Sequence, residues 1–400
     1  MIIRKAFKYR LYPNAQQMQD LSVQFGHSRF VYNYFLAVRR DYYEAHKDNP
    51  QKKGLTYADT NKMLTGLKRL PEYSWLRDAD SQVLQESLRN LERAYQNMYA
   101  KRSGYPKFKK RTSHQAIKYP QRFRVTENKI FAPKVGEIKA VIHRPLEGTP
   151  KNMTISKTKS GKYFASVQCE VEIPAPPSQK SQAVGLDVGL KSAVVTSDGC
   201  IIPSPKQLIK SQKKLTRLQR QLSRKKKRSA GREKARLLLA RQYEKVANQR
   251  ADFLHKISRW LVDNYGFIGI EDLNVKGMSR NHKLAQSISD AGWGELRRQL
   301  EYKGLWGGTK IQTVGRFFPS SKTCSSCGHV LSEMELSIRS WKCPECGASH
   351  DRDLNAAINI KNEALTRAGI ARSYAGGESI RPVLGWQFSE KPEAQRLRLG

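Results

Sequence analysis

The sequence predicts a multidomain α/β protein, and three observations carry that prediction. Hydrophobic periodicity switches from about two to about 3.6 and back again before residue 174. Pro174, Pro176 and Pro177 with Ser178 to Ser181 then mark a linker. Beyond it, short apolar strands separated by long amphipathic helices give the order expected of a mixed sheet covered by helices.

Residues 3 to 11 alternate charged and apolar side chains and stop at Tyr12-Pro13-Asn14, a strand followed by turn chemistry. From Ala15 to about Tyr99 the spacing is helical, with Val83, Leu84, Leu88, Leu91, Tyr95 and Met98 on one face; Pro71 and a turn at Gly54 divide it into several helices. The stretch Gly104 to Arg111 breaks the helical pattern and sets Tyr105 and Phe108 among Lys101, Lys107, Lys109, Lys110 and Arg111. Such a loop can stack on a base or ribose while its cations sit on phosphates. Alternation returns from about 115 to 174, as in 153–157 and 163–167, predicting a small antiparallel domain that the N-terminal strand completes.

After the linker, residues 183–195 read as strand, glycine turn and strand, a hairpin opening the mixed sheet. Lys206 to Arg250 holds 17 Lys and Arg against Glu233 and Glu244, with apolar stripes at Leu215, Leu218 and Leu222 and at Leu237, Leu238 and Tyr243. This predicts two long basic helices broken near Ser229-Ala230-Gly231. With so few acids at i,i+4, a phosphate backbone is the expected relief for their repulsion, above all at Arg224, Lys225, Lys226, Lys227 and Arg228. Residues 267–273 form a buried strand ending in two carboxylates. A helix is expected from Asp290 to about Trp306, capped by Ser289-Asp290, then a strand at 309–314 and a last helix near Asp353. From about Ser373 the composition predicts disorder.

Composition narrows the partners. Lys and Arg total 73 against 35 Asp and Glu, a net charge of +38, and nucleic acid is the obvious polyanion to meet it. No window approaches the ~18 unbroken apolar residues of a membrane span, and the charged N-terminus lacks a signal-peptide run, so a soluble cytoplasmic protein is expected, with no membrane partner. Four of the six cysteines stand in two pairs: Cys324-x-x-Cys327, fifteen intervening residues, Cys343-x-x-Cys346, each pair followed by Gly328 or Gly347. That spacing chelates one tetrahedral Zn²⁺, and a four-thiolate shell leaves no open position, so the zinc is structural. Arg339 and Trp341, in the loop between the pairs, are candidate nucleic-acid contacts.

Three acids at strand or helix ends form the second constellation: Asp187, Glu271 and Asp353. Singly, such acids are more often turn formers or caps. Together they fit carboxylates converging on two Mg²⁺ ions ~3.5–4 Å apart for phosphodiester hydrolysis.

The segments Gly185-Leu186-Asp187-Val188-Gly189, Ile270-Glu271-Asp272-Leu273 and Asp351-Arg352-Asp353-Leu354-Asn355-Ala356-Ala357 resemble the three motifs of the RuvC-like nuclease in TnpB, a transposon-encoded relative of type V CRISPR effectors. The cysteine pairs between the second and third motifs, Arg10-Leu11-Tyr12-Pro13, Gly104 to Phe108 and Ser287 to Trp293 are similar to that family too.

The resemblance implies an RNase H-like (RuvC) core at 182–314 and 348–372 with a zinc ribbon inserted at 315–347. It further implies a β-barrel-like wedge domain at 1–12 and 104–178, an inserted helical recognition domain at 13–103 and a tail at 373–400. It makes Asp187, Glu271 and Asp353 the catalytic and magnesium-binding acids, and it carries motif contacts onto Tyr57 and Gln85, with Ser81 standing where a relative has lysine. Implied partners are a guide RNA from the transposon end, in a monomeric one-to-one complex, and duplex DNA beside a short adjacent motif, with a role in transposon maintenance. Base pairing then chooses the sequence. The competing readings are an unguided nuclease or transposase, a guided repressor that does not cut, and a zinc-dependent RNA-binding module. The first leaves the domains ahead of the core unexplained, and the other two leave the acids unexplained.

Overall fold

A computed structural model describes residues 1–49, 51, 54–174, 182–335 and 337–370. The expected disordered tail and most of the expected linker lie outside these residues. Two compact units emerge: the first comprises Met1–Pro174 with Arg217–Glu244, the second the other described residues.

In the first unit, β1 (Ile2–Tyr12) buries Ile3, Phe7, Tyr9 and Leu11 and turns charged residues such as Arg4 and Lys8 outward, the period of two expected of a strand with one wet face. Helices follow: α1 (Ala15–His46), α2 (Tyr57–Leu67), a 3₁₀ segment (Pro71–Asp78) and α3 (Ser81–Tyr99). Asn14 and Gln17 form a reciprocal capping box at the start of α1, and the Asp80 carboxylate caps α3 by accepting from Gln82 and Val83 N–H. Phe35, Leu64, Leu76, Leu84, Leu88 and Leu91 pack the helices together.

The chain then forms β2 (Gln115–Tyr119), β3 (Arg124–Val125), β4 (Lys129–Ala132), β5 (Gly136–Val141), β6 (Thr149–Lys157) and β7 (Tyr163–Glu172). With β1 they make a seven-stranded sheet in the order β2-β6-β7-β1-β5-β4-β3. The first strand therefore lies in the middle, antiparallel to β7 from Ile2↔Glu172 to Leu11↔Tyr163 and to β5 at its far end. Among the described residues no ladder joins β3 to β2, so the expected barrel-like domain is an open sheet in its hydrogen bonding.

The second unit is built on β8 (Ala183–Asp187), β9 (Ser192–Thr196), β10 (Ile201–Pro203), β11 (Phe267–Glu271) and β12 (Lys310–Val314), ordered β10-β9-β8-β11-β12. The hairpin β8-β9 is antiparallel, while β11 runs parallel to both β8 and β12. Between the strands come α4 (Gln207–Ser223), α5 (Ala230–Asn264), α6 (Val275–Met278), α7 (Ala285–Ala291) and α8 (Trp293–Gly307), and the chain ends in β13 (Ser340–Lys342), β14 (Ser349–Asp351) and α9 (Arg352–Arg367). Val184, Leu186, Ile268 and Ile270 meet Leu254, Ile257 and Leu261 of α5 and Leu296 and Leu300 of α8. Phe267 and Val314 meet Ile360, Ala364 and Leu365 of α9. The sheet is thus covered on both faces, which is why β8 and β11 are apolar almost throughout.

Three expectations change. Asp290 does not cap the helix that follows it: it closes α7, where its carboxylate accepts from Leu208 N–H of α4 at 2.9 Å and lies 3.5 Å from Arg250. The break comes two residues later at Gly292, whose φ of +67° is the left-handed geometry that ends α7 and starts α8. The second basic helix also runs beyond Arg250 to Asn264, because Leu254, Ile257 and Leu261 continue it with an apolar face for the sheet. The hairpin tip, residues 217–244, expected within the nuclease segment, packs in the first unit, where Lys162 and Glu244 pair at 2.9 Å. No helix among the described residues is long and apolar enough to cross a membrane.

Candidate functional site

Asp187 and Glu271 end neighbouring parallel strands. The register sets Gly185 opposite Gly269 and Leu186 opposite Ile270, so the two acids follow at equivalent positions, on strands ~4.8 Å apart. By the period of two, both share a face with Gly185 and Gly269, the face that α9 covers. An added Cβ at Gly185 would stand 2.0 Å from the Ala357 carbonyl oxygen, and one at Gly269 would stand 2.7 Å from the Ala364 Cβ. Two glycines thus let α9 lie directly on the strands. Asp353 is one turn before Ala357, a rise of ~6 Å, which matches the two-residue rise from Gly185 to Asp187.

The three carboxylates consequently meet at one edge of the sheet. Desolvation, then the negative charges of Glu271 and Asp353, push the Asp187 carboxyl up to about 7, against the opposing pull of Arg352. Ser320 donates to Glu271 Oε1 at 2.6 Å, and Arg339 lies 3.6 Å from Asp353. Asp351 serves the helix instead, its carboxylate accepting from the Asp353 and Leu354 N–H groups and so capping α9. Asp272 is turned to Arg297 at 2.7 Å and Arg316 at 2.8 Å, and these guanidiniums hold it below the usual carboxylate range. A crowd of acids in which burial and then mutual repulsion push one carboxyl up is the donor set a divalent cation would relieve, so these residues fit Mg²⁺.

The four cysteines form the second cluster, their sulfurs all within 4.8 Å of one another. Cys324 and Cys346 stand 3.7 Å apart, as do Cys327 and Cys343. A tetrahedron with Zn–S bonds of ~2.3 Å has an edge of ~3.8 Å, so the donor set fits zinc. The two knuckles match: Gly328 N–H donates to Cys324 O and Gly347 N–H to Cys343 O, with φ of +83° and +73° that only glycine adopts freely. Burial opposes ionisation of Cys324, but the Cys327 and Ser326 N–H groups and His350 outweigh it and pull the thiol down to about 5. His350 Nε2 lies 3.0 Å from that sulfur.

Sequence reasoning missed what ties the two clusters together. Asn355 and Asn359, four apart on α9 and both buried, hold the arm that leads into the first knuckle. Asn359 donates to Ser320 O at 2.8 Å and Thr323 O at 2.6 Å, and Asn355 donates to Thr323 O at 2.7 Å while accepting from Ser325 N–H. Buried amides on a helix face are the signal, since a buried polar group implies a partner.

The expected nucleic-acid contacts divide. Arg224 to Arg228 are exposed in the turn between α4 and α5, which Arg232 pins through the Leu222 and Lys225 carbonyls. Lys107, Phe108 and Lys110 are exposed as well. Lys109 is turned inward: its ammonium sits 3.9 Å from the centroid of the Tyr32 ring, and Asn33 bonds both its N–H and its C=O. Tyr105 spends its hydroxyl on Tyr95 at 3.0 Å while keeping about half its surface open. Tyr57 is half-buried, covered by Arg89 at 5.3 Å, with Gln85 one turn earlier on α3.

Comparison with known proteins matches residues 166–282 to OrfB_IS605, described as "Probable transposase", 293–360 to "Cas12f1-like, TNB domain" and 1–48 to a "Helix-turn-helix domain". The last stretch folds here as β1 and the single 32-residue helix α1. A Streptomyces pristinaespiralis protein named "Putative RNA-guided DNA endonuclease" is 41% identical over 409 residues, covering 100% of this chain and 98% of its own. "Putative RNA-guided DNA endonuclease InsQ" of Escherichia coli K12 is 38% identical over 89% of this chain and 91% of its own. The solved Cas12f1-sgRNA-target DNA complex covers 90% of this chain and 99% of that one at 15% identity and a TM-score of 0.48, a likeness that carries no geometry across. With relatives this similar along nearly their full lengths, the chain belongs to the TnpB family of transposon-encoded RNA-guided endonucleases.

Proposed function

We propose that this protein binds a guide RNA derived from a transposon end and cuts the DNA paired to it, beside a short adjacent motif, by metal-dependent phosphodiester hydrolysis. The convergence of Asp187, Glu271 and Asp353 at one sheet edge carries this reading. Asp187 feels the charge of both Glu271 and Asp353, which would complete the two sides of the site. Two divalent cations bound there would supply an activated water and stabilise the leaving oxygen. Ser320 orients Glu271, and Arg339 beside Asp353 is a cation available to a strand phosphate.

The excess of 38 positive charges supports a large nucleic-acid partner, and the exposed run Arg224 to Arg228 is the densest place to receive a backbone. Zinc in the cysteine cluster is structural. A one-to-one complex of monomer and RNA, acting in maintenance of the transposon, completes the reading. Asp187→Ala is expected to abolish cleavage by purified ribonucleoprotein with Mg²⁺ while RNA binding persists; retained cutting would sink the metal assignment, and a protein that co-purifies with random RNA would sink guidance.

A further inference from the structure

Phe317 is 93% exposed, the most exposed large apolar side chain among the described residues. It stands in a tight turn after β12, closed by the Phe318 N–H donating to Gly315 O at 3.1 Å, so Phe317 is the second residue of the turn tip. Gly, Asn, Asp and Ser are favoured there, and a phenyl ring gives up its burial by taking that place. The turn is not loose. Arg316 is held by Asp272 at 2.8 Å, Phe318 packs against the α9 core, and Ser320 is buried on Glu271. A rigid, anchored turn that lifts one ring fully into solvent has the form of a stacking platform.

Its position selects the occupant. Residues on both sides of Phe317 touch the acid that ends β11 and the one after it, Asp272 through Arg316 and Glu271 through Ser320. Three residues of chain span at most ~11 Å, so the Phe317 Cα is held within that reach of Ser320, and its ring, ~5 Å further out, within about 16 Å. At ~3.4 Å of axis per nucleotide, this is about five nucleotides or fewer from the residue that orients Glu271. Arg316 beside it is charged and exposed, and Arg339 lies 3.6 Å from Asp353 of the same site, so cations stand near the ring and near the carboxylates to receive a phosphate-bearing strand.

We propose that Phe317 stacks on a base of the DNA strand entering the nuclease site, holding that strand next to the carboxylates whatever the base. The inference rests on the nuclease reading above. Stacking needs only a ring face and tolerates any sequence, as a guided enzyme requires of contacts at the cut.

The ribonucleoprotein is loaded with target whose strand to be cut carries 2-aminopurine at successive positions around the cleavage site. In the Asp187→Ala background, quenching is expected at one or two positions and is lost on adding Phe317→Ala. In the cutting enzyme Phe317→Ala is expected to raise KM for a single-stranded substrate about tenfold with a much smaller change in kcat, with Phe317→Trp restoring it and Phe317→Leu not. Because the ring is exposed, all three variants should melt with the wild type. Unchanged quenching and KM in Phe317→Ala, or rescue by Phe317→Leu as good as by Phe317→Trp, would overturn the proposal. The fluorescence arm needs no chemistry, so stacking without cutting by the wild-type enzyme would count against the nuclease reading alone.

Discussion

Gly185 and Gly269 stand opposite one another on β8 and β11, and α9 crosses directly over the pair. The approach is close enough that side chains are excluded at both positions. Gly185→Ala would drive its Cβ into backbone, 2.0 Å from Ala357 O and 2.5 Å from Lys361 N. Gly269→Ala meets the Ala364 Cβ at 2.7 Å and Ile360 O at 3.0 Å, so α9 itself must move to admit it, though by less than at Gly185. The first substitution is expected to cost about 3 kcal/mol or more, on the order of severe overpacking, and the second about 1–2 kcal/mol. Urea denaturation with cleavage assayed in parallel checks the order. Gly185→Ala should lose cutting even where it remains folded, because α9 carries Asp353. Equal effects at the two sites would mean that α9 yields more easily than this packing implies.

The Asp187 carboxyl, pushed up to about 7 by desolvation and its acidic neighbours, makes stability depend on pH. Unfolded, it ionises near its ordinary 3.8; folded, it keeps its proton to about 7. Through that window the unfolded state sheds the proton first, so this group costs the fold progressively more stability as pH rises from about 4 to about 7, and the full amount above. Asp187→Asn removes the charge. Without added Mg²⁺ the variant is therefore expected to gain over wild type as pH rises through this window, by up to ~4 kcal/mol on the plateau above pH 7. Mg²⁺ should stabilise wild type and shrink the gap at pH 8. Melting temperatures of both proteins across pH 4–8, with and without Mg²⁺, are the measurement; a gap that narrows as pH rises would contradict the clustering.

Much of this was legible in the residues, and the remainder was hidden for identifiable reasons. The cysteine spacing described the four-thiol cluster because the approach of two close pairs is a local matter. The acids at strand ends were visible as acids, but parallel register alone brings Asp187 level with Glu271, and register is a long-range property. The glycines at 185 and 269 read as turn or strand punctuation, whereas their use is to admit α9. Asp290 looked like a cap for the next helix because Ser289-Asp290 has cap chemistry; its carboxylate is taken by a backbone N–H more than eighty residues away. Lys109 looked like a phosphate ligand because a lysine in a basic loop usually is, but the Tyr32 ring and Asn33 draw it in.

Zinc and the carboxylates should be coupled through Asn359. This side chain donates to the carbonyls of Ser320 and Thr323, fixing the arm between the acid that Ser320 orients and the first cysteine of the cluster, Cys324. Cys343→Ser is expected to release zinc and lower the melting temperature, and to weaken cleavage by loosening the arm. Asn359→Ala leaves all four thiols in place and frees the Ser320 end of the arm from α9, while Asn355 still holds Thr323 and Ser325, at a cost of about 2–4 kcal/mol for two buried hydrogen bonds. It should therefore retain one zinc by elemental analysis yet need several-fold more Mg²⁺ for half-maximal cleavage. Ser320→Ala, which removes the Glu271 contact alone, should raise the Mg²⁺ requirement to a similar degree with little loss of stability. If Asn359→Ala keeps its zinc and its Mg²⁺ dependence unchanged, the arm only joins the two clusters and does not transmit between them.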